Sequence, residues 1–242
     1  MRARAALAML ALVAAPAMLG TLASPAAAQQ SPADSIATAC MASDTATAWR
    51  RVSAAWSDER GHTWSNDSLR RRLIALGERD QAVRNAPALA DSMRDPAFVR
   101  RMAERDSADA AELRAIIDRY GWPGRSLVGA RGASAAFLVA QHNPALQHEA
   151  LRLMQALPAG EVSPSDLAML EDRVRVSDGR PQRYGTQLHD SGDGRTLVFD
   201  PIEDLAHLDE RRAAAGLPPL PVYLCIIRGL SGREVQPPAG YT

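Results

Sequence analysis

The residues of this chain that could carry out chemistry are polar side chains at positions where the helix pattern predicts apolar ones. Asp80 lies in the middle of a stripe that, at about 100° per residue, consists of Leu69, Leu73, Leu76 and Val83. A carboxylate there must be paired, hydrogen-bonded or protonated, because burial of a bare charge costs on the order of several kcal/mol. Burial also shifts the pKa of a carboxyl toward values that suit acid–base catalysis. Asp80 is therefore a candidate acid or base, and a structural ion pair with Arg84, one turn later, is the alternative.

A second carboxylate interrupts the apolar face of the next predicted helix. Arg105 and Asp109 lie in the middle of a face made of Phe98, Met102, Leu113, Ile116 and Tyr120. One interpretation is that this long helix breaks near 104–108 or lies across the protein surface. The other is that Asp109 points inward. Two inward aspartates would form an acid–base pair or a site for a cationic group or metal.

His142 follows a run of small residues that predicts a helix, and it stands immediately before Asn143-Pro144. At that position an imidazole interacts favourably with the C-terminal end of the helix dipole, so capping alone would account for it. The alternative is a role as a ligand or in proton transfer. The helical His148 and His207 have no metal-ligand spacing, and the chain contains no HExxH, CxxC, GxSxG or phosphate-binding glycine motif. We therefore predict neither a metal nor a cofactor.

Length and composition exclude several classes of protein. The chain has 242 residues, of which 46% are hydrophobic, and 28 basic residues balance 28 acidic ones. This is enough for a real core, and the balance excludes a nucleic-acid binder that depends on bulk positive charge. A long disordered polyelectrolyte and a disulfide-dense miniprotein are excluded too. The partner that we predict is a small polar ligand or another protein, not nucleic acid.

The first 28 residues have the three parts of a secretory signal peptide. Arg2 and Arg4 precede an apolar run, and a small-residue cleavage site ends at Ala28. An uncleaved membrane anchor is the alternative, but Pro16 within the run argues against it. We therefore predict an extracytoplasmic protein, periplasmic or secreted, with no stable membrane span once the signal is removed.

The only two cysteines, Cys40 and Cys225, lie near opposite ends of the mature chain. In an oxidising compartment they could join and tie these ends together. A loop of that length would stabilise the fold by roughly 4–5 kcal/mol in the chain-entropy model. Two buried free thiols are the alternative, because a sequence does not give the distance between the two residues.

The elements that must position these residues are mainly helices. Several predicted helices begin with a capping side chain followed by proline at the first helical position. Apolar periodicity then predicts helices near 33–57, 67–85, 96–120, 133–142, 144–157, 163–177, 202–215 and 219–229.

One segment has the period of a strand rather than of a helix. Residues alternate from Tyr184 to Leu188, and a glycine-bearing turn separates them from a second apolar run at 196–199, so we predict one small β-hairpin near 183–199. The fold class is therefore mainly α, a single multi-helix domain with one hairpin. The predicted organisation is a signal peptide at 1–28, a helical extension at 29–66, the domain at 67–230 and a loose C-terminal tail at 231–242.

Over roughly 67–224 the chain resembles an uncharacterised bacterial family, a domain of unknown function. The likeness rests on ordered motifs: GWPGRSLVG from Gly121, AAFLVAQH ending at His142, an Asp172-Arg173 pair, GRPQRYGTQ ending at Gln187, PIED from Pro201, DERR from Asp209 and GLPPL from Gly216. The resemblance implies no activity. Its motif positions include Asp80, Gln141, His142, Arg173 and Gln187.

Three hypotheses about function follow from these residues. In the first, a polar pocket binds or hydrolyses a small molecule, glycan or peptide, with Asp80 and His142 catalytic and with ligand contacts from Trp122, Gln141, Arg173, Tyr184, Gln187 and Glu203. In the second, a non-catalytic module binds a protein through the hairpin and the tryptophans Trp49, Trp56 and Trp64. In the third, the polar set is a buried structural network that fixes the packing of the helices. Polar side chains that converge on one point open to solvent would favour the first hypothesis. An exposed apolar patch would favour the second. Polar side chains that converge but are sealed from solvent would favour the third.

Overall fold

Helices make up most of the described chain, and the predicted mainly helical fold class is confirmed. The computed structural model describes residues 38–42, 47–84 and 92–241, so the predicted signal peptide lies outside the described residues. The main helices are α1 (Ala48–Ser57), α2 (Asp67–Arg84), α3 (Pro96–Tyr120), α4 (Arg125–Gln141), α5 (Pro144–Gln155), α6 (Pro164–Ser177), α7 (Leu208–Ala214) and α8 (Leu220–Ser231). Within these segments no helix is both long and apolar enough to cross a bilayer.

Three helices begin as the capping pattern predicts. The side chains of Asp95, Asn143 and Ser163 each accept a hydrogen bond from a backbone N–H of the first turn, at 2.8, 3.1 and 3.2 Å. In each case proline follows directly, where its missing N–H leaves no unpaired donor. These caps fix the starts of α3, α5 and α6.

The helix predicted near 202–215 starts later than its capping pattern indicates. Ile202 instead forms a parallel bridge with Gln182, which holds the chain extended after Asp200-Pro201. A short 3₁₀ helix over Leu205–His207 then leads into α7. The helix predicted over 33–57 is also interrupted, because Ala42 is in a turn and α1 begins only at Ala48.

Helix α4 begins at Arg125, whereas the sequence predicts a start near residue 133. Its small residues give it no apolar stripe from which a start could be inferred, and most of them are buried. Gly129 interrupts the regular helix with φ 71°, and a Cβ atom there would lie 2.1 Å from Nη1 of Arg70. A Cβ atom on Gly77 of α2 would lie 2.9 Å from that of Ala135, so glycine lets α2 approach α4 closely.

The hairpin is present but shorter than predicted. Strands β1 (Leu188–Asp190) and β2 (Thr196–Phe199) pair antiparallel, whereas the alternating residues before Leu188 form no strand. Strand β3 (Glu234–Gln236) pairs parallel with β2, with Val235 opposite Leu197. The C-terminal segment that was expected to be loose therefore completes the sheet, because Val235 is buried in the apolar core beneath it.

The two largest apolar clusters hold most of these elements together. The larger lies among α2 to α6 and includes Leu73, Leu113, Phe137 and Leu170. The smaller joins the sheet to α7 and α8. Cys40 and Cys225 form a disulfide, with Cα atoms 5.7 Å apart, which ties the segment before α1 to α8.

Candidate functional site

The two candidate catalytic residues meet where the end of α2 packs against the end of α4. Asp80 is 1% exposed on α2, and His142 is the C-cap of α4. Nδ1 of His142 lies 2.9 Å from Oδ1 and 3.0 Å from Oδ2 of Asp80. The close packing of α2 on α4 therefore converts two distant positions in the sequence into one hydrogen-bonded pair.

Asp80 is held by two further donors. Nη1 of Arg84 donates to its Oδ1 and Nε2 of Gln81 donates to its Oδ2, each at 2.8 Å. Nη2 of Arg84 donates to Oδ2 of Asp106 on α3 at 2.7 Å. Acceptance from a guanidinium, an amide and an imidazole is the pattern of an ionised carboxylate, so the structural pair with Arg84 and the contact with His142 coexist.

The contact with Asp80 determines how the imidazole of His142 is used. Because a carboxylate only accepts hydrogen bonds, the neutral ring carries its proton on Nδ1 and leaves a lone pair on Nε2. Burial lowers the pKa of His142 below its usual value, Asp80 opposes this effect, and the charges of Arg84 and Arg173 add to it. Nε2 is enclosed and has no hydrogen-bond partner among the described residues.

Arg173 on α6 is the third predicted site residue in this region. Its guanidinium forms no ion pair or hydrogen bond within the described part of the chain, and its Nε atom is enclosed. Burial lowers the pKa of Arg173 to about 10, the charge of Arg84 acts in the same direction, and Tyr223 opposes both. The pair of Asp80 and His142 thus lies within electrostatic reach of a cation that has no counter-charge.

Asp109 is buried, which agrees with the interpretation that it points inward. It does not, however, form a hydrogen bond with Asp80 or His142 in the described chain. The helix α3 is continuous through 104–108. Asp109 is 3% exposed and accepts from Nη2 of Arg79 at 2.8 Å. Asp80 and Asp109 therefore each have their own arginine and do not form an acid–base pair. No group of three or more histidine, cysteine or acidic residues in the described segments is arranged to hold a metal ion.

A second polar cluster lies around Asp172, one residue before Arg173. Asp172 is fully buried and accepts from the backbone N–H groups of Arg183, Tyr184 and Thr186 and from Oγ1 of Thr186, at 2.6 to 3.1 Å. Burial raises the pKa of Asp172, and these hydrogen bonds oppose the rise. The loop after α6 is therefore wound around one carboxylate, which explains why it forms no strand.

Gln182 and Arg212 complete the Asp172 cluster, and both are fully buried. Oε1 of Gln182 accepts from the N–H groups of Thr186 and Gln187, and its Nε2 donates to two carbonyl oxygens. Arg212 donates to the carbonyl oxygens of Pro218, Tyr184 and Gly185. Because most of its polar groups are satisfied within the chain, this cluster is structural.

The other predicted ligand contacts do not converge on His142. Trp122 is 4% exposed in the larger apolar cluster, and the carbonyl of buried Gln141 accepts from Gln147. Nε2 of Gln187 donates to Thr186, and Glu203 forms ion pairs with Arg175 and Arg183. The ring of Tyr184 lies beside Arg183, at 5.5 Å from its guanidinium carbon. Of the expected set, Asp80 and His142 are in direct contact, and Arg173 is near enough for its charge to lower the pKa of His142.

Tyr223 links the two clusters. It is close enough to Arg173 to influence the pKa of the guanidinium, and its hydroxyl donates to the carbonyl oxygen of Thr186 at 3.1 Å. The side chain of Gln187 donates a hydrogen bond to Oγ1 of that same threonine. Tyr223 is therefore hydrogen-bonded to the loop that the Asp172 cluster holds and also acts electrostatically on Arg173.

The tryptophans of the N-terminal segment pack against the domain. Trp49 is 8% exposed, Nε1 of Trp56 donates to Ser134, and Nε1 of Trp64 donates to Asp67. Among the described residues, Tyr120 is the one large hydrophobic side chain that is exposed, at 39%. This arrangement disfavours a protein-docking surface made of the three tryptophans.

The fold and site define a mainly helical protein with a small three-stranded sheet and a buried aspartate–histidine pair next to an arginine. Residues 67–236 match DUF6624, a family of unknown function, and the chain belongs to this family. This confirms the resemblance that the motifs indicate. No curated protein and no solved structure matches the chain.

Proposed function

We propose that this protein binds a small polar ligand beside Asp80, His142 and Arg173, and that His142 acts on the ligand as a general base. The observation that carries the proposal is the asymmetry of the imidazole. Nδ1 is fixed by a carboxylate, whereas Nε2 has a lone pair and no partner in the described structure. A structural histidine normally has both nitrogens satisfied, so the lone pair of Nε2, enclosed and without a partner in the described chain, supports the proposal that a ligand binds there.

The same geometry suits hydrolysis of the ligand. Nε2 would take a proton from a water molecule as its oxygen attacks the atom at the scissile bond, and Asp80 would stabilise the imidazolium that forms. As the scissile bond breaks, the imidazolium would return this proton to the leaving group, which regenerates the neutral ring. The lowered pKa of His142 supports this role, because the ring stays neutral near pH 7 and is ready to accept a proton. Small molecules, glycans and peptides are the substrate classes that we propose.

We also propose that the site works outside the cytoplasm. The support is the signal pattern at 1–28, and the disulfide between Cys40 and Cys225 is compatible with an oxidising compartment.

One observation favours a second candidate function, which is a purely structural network. The side chain of His142 is 8% exposed and its Nε2 atom is enclosed. In this alternative the pair locks α2 to α4 and never meets a ligand. Chemical access to Nε2 distinguishes the two functions.

Diethyl pyrocarbonate tests this access, because it acylates neutral imidazole nitrogens that it can reach. We expect peptide mapping by mass spectrometry to show modification of His142 in the folded protein, at Nε2 because Nδ1 is engaged. His148, whose side chain is 61% exposed, is the matched control. Modification of His148 with none of His142 would support the structural network and refute the proposed base.

A further inference from the structure

We propose that the ligand of this site carries an anionic group, a carboxylate or a phosphate, and that Arg173 binds it. This inference rests on the proposed function, because it names the chemical class of the ligand at the same site. Its basis is a comparison of Arg173 with the other enclosed arginines of the structure.

The other enclosed arginines all have acceptors. Arg70 forms a two-pronged ion pair with Glu59, at 2.8 and 2.7 Å. Arg84 joins Asp80 to Asp106. Arg212 forms no ion pair within the described residues, yet it donates to three backbone carbonyl oxygens. Single nitrogens of other arginines, such as Nη2 of Arg212, are also enclosed without a partner, but each of these guanidiniums has at least one acceptor. Arg173 is the enclosed arginine of the described residues whose guanidinium has no acceptor at all.

The accessible part of Arg173 is the part that recognises an anion. Its Nε atom is enclosed, whereas the two Nη atoms, which also have no protein partner, are not among the enclosed atoms. A guanidinium presents its N–H groups as a planar fork that matches the two oxygens of a carboxylate or phosphate. A ligand oxygen that reaches the Nη atoms would supply the acceptor that the chain lacks.

The neighbouring charges favour an anion over a cation at this point. Arg84 contributes a second positive charge, which its ion pairs with Asp80 and Asp106 balance. Burial lowers the pKa of His142, so its neutral imidazole adds no charge, and Asp80 faces this ring. Tyr223 is the remaining group that acts on Arg173, and burial raises its pKa to about 12, so it stays uncharged. Arg173 is therefore the charge in this region that no carboxylate of the described residues pairs with, and an anion would supply its counter-charge.

Inorganic phosphate and acetate are the probes, used separately with the full chain at constant ionic strength set by sodium chloride. We expect at least one of them to bind saturably in the millimolar range and to raise the melting temperature. Arg173→Met should weaken this binding by about tenfold or more, because charged hydrogen bonds are lost. Arg152→Gln removes the same charge from an exposed position and should leave the binding unchanged. A response to phosphate alone or to acetate alone identifies the anion.

Two results would overturn the inference: no saturable binding of either anion by the wild type, or equal binding by the wild type and Arg173→Met. Circular dichroism and the melting temperature of Arg173→Met establish that this variant is folded. The proposed base fails separately. If phosphate binds through Arg173 while His142 resists diethyl pyrocarbonate, the anion site stands and the general base falls.

Discussion

The imidazole of His142 is bound to the carboxylate of Asp80 through Nδ1 at 2.9 and 3.0 Å, although 62 residues separate the two in the chain. The pair lies at the junction of α2 and α4, the two helices with the most extensive mutual packing. Its position means that any change to Asp80 acts both on the orientation of the imidazole and on the contact between two core helices.

Replacement of Asp80 by asparagine tests the structural side of this relationship. The amide has one acceptor oxygen, so it cannot satisfy Arg84, Gln81 and His142 together. We expect Asp80→Asn to lower the free energy of unfolding by about 3 kcal/mol, because Arg84 and His142 lose a buried charged partner. Urea denaturation gives the value.

Asp118 provides the control for that measurement. It is exposed near the end of α3, and Asp118→Asn should change the free energy of unfolding by less than about 0.5 kcal/mol. Equal effects of the two substitutions would show that the carboxylate of Asp80 does not stabilise the helix junction.

The sequence predicts Asp80 well, because the argument for its burial uses only the local period of one helix. The same holds for Arg84, one turn later, and for the capping residue Ser163. The contact with His142 could not be predicted, since it depends on how α2 and α4 pack. Glycine at position 77 permits that close packing, but nothing in the local pattern says which helix it will face.

The two charged residues of the Asp172 cluster differ in whether the sequence could reveal their burial. At about 100° per residue Asp172 lies far from the apolar stripe of its own helix, so periodicity predicts an exposed residue. It is buried because the following loop folds over it, which is a tertiary effect. Arg212, in contrast, lies one turn after the fully buried Leu208, so its position on a buried face was available from the sequence.

A test of the Asp172 cluster is to remove the charge while keeping the size of the side chain. Asp172→Asn loses at least one acceptor for the N–H groups of Tyr184 and Thr186. We expect a loss of about 3 kcal/mol in the free energy of unfolding, since buried donors remain unpaired. Glu171→Gln on the same helix, which breaks a 3.2 Å ion pair with Arg183, should cost less than about 1 kcal/mol. If the two variants unfold at the same urea concentration, the loop is not held by Asp172.

The dependence of stability on pH should reveal Asp166. This carboxyl is buried and accepts from Oγ of Ser134 at 2.6 Å, and burial raises its pKa to about 7. In the unfolded chain its pKa is about 3.9, so the folded protein holds the proton more tightly. The contribution of Asp166 to stability is therefore fully present below about pH 4 and is lost as the pH rises to about 7.

Asp166→Asn should remove this pH dependence. The difference in free energy of unfolding between the wild type and the variant should change by about 4 kcal/mol from pH 4 to pH 8, to the disadvantage of the wild type at high pH. Urea denaturation at several pH values measures the difference, and the other titrating groups cancel in it. A difference that does not vary with pH would mean that Asp166 is ionised in the folded protein.

The disulfide between Cys40 and Cys225 joins residues 185 positions apart, and it should be a major source of stability. A cross-link that closes so long a loop restricts the unfolded chain, which corresponds to about 5 kcal/mol at most in the chain-entropy model. We therefore expect a reducing agent to lower the urea midpoint of the wild type clearly. The Cys40→Ser/Cys225→Ser variant should unfold at the midpoint of the reduced wild type and should not respond to the reductant. A wild type whose urea midpoint is the same with and without reductant would contradict a stabilising role, because loss of the cross-link would then leave the free energy of unfolding unchanged.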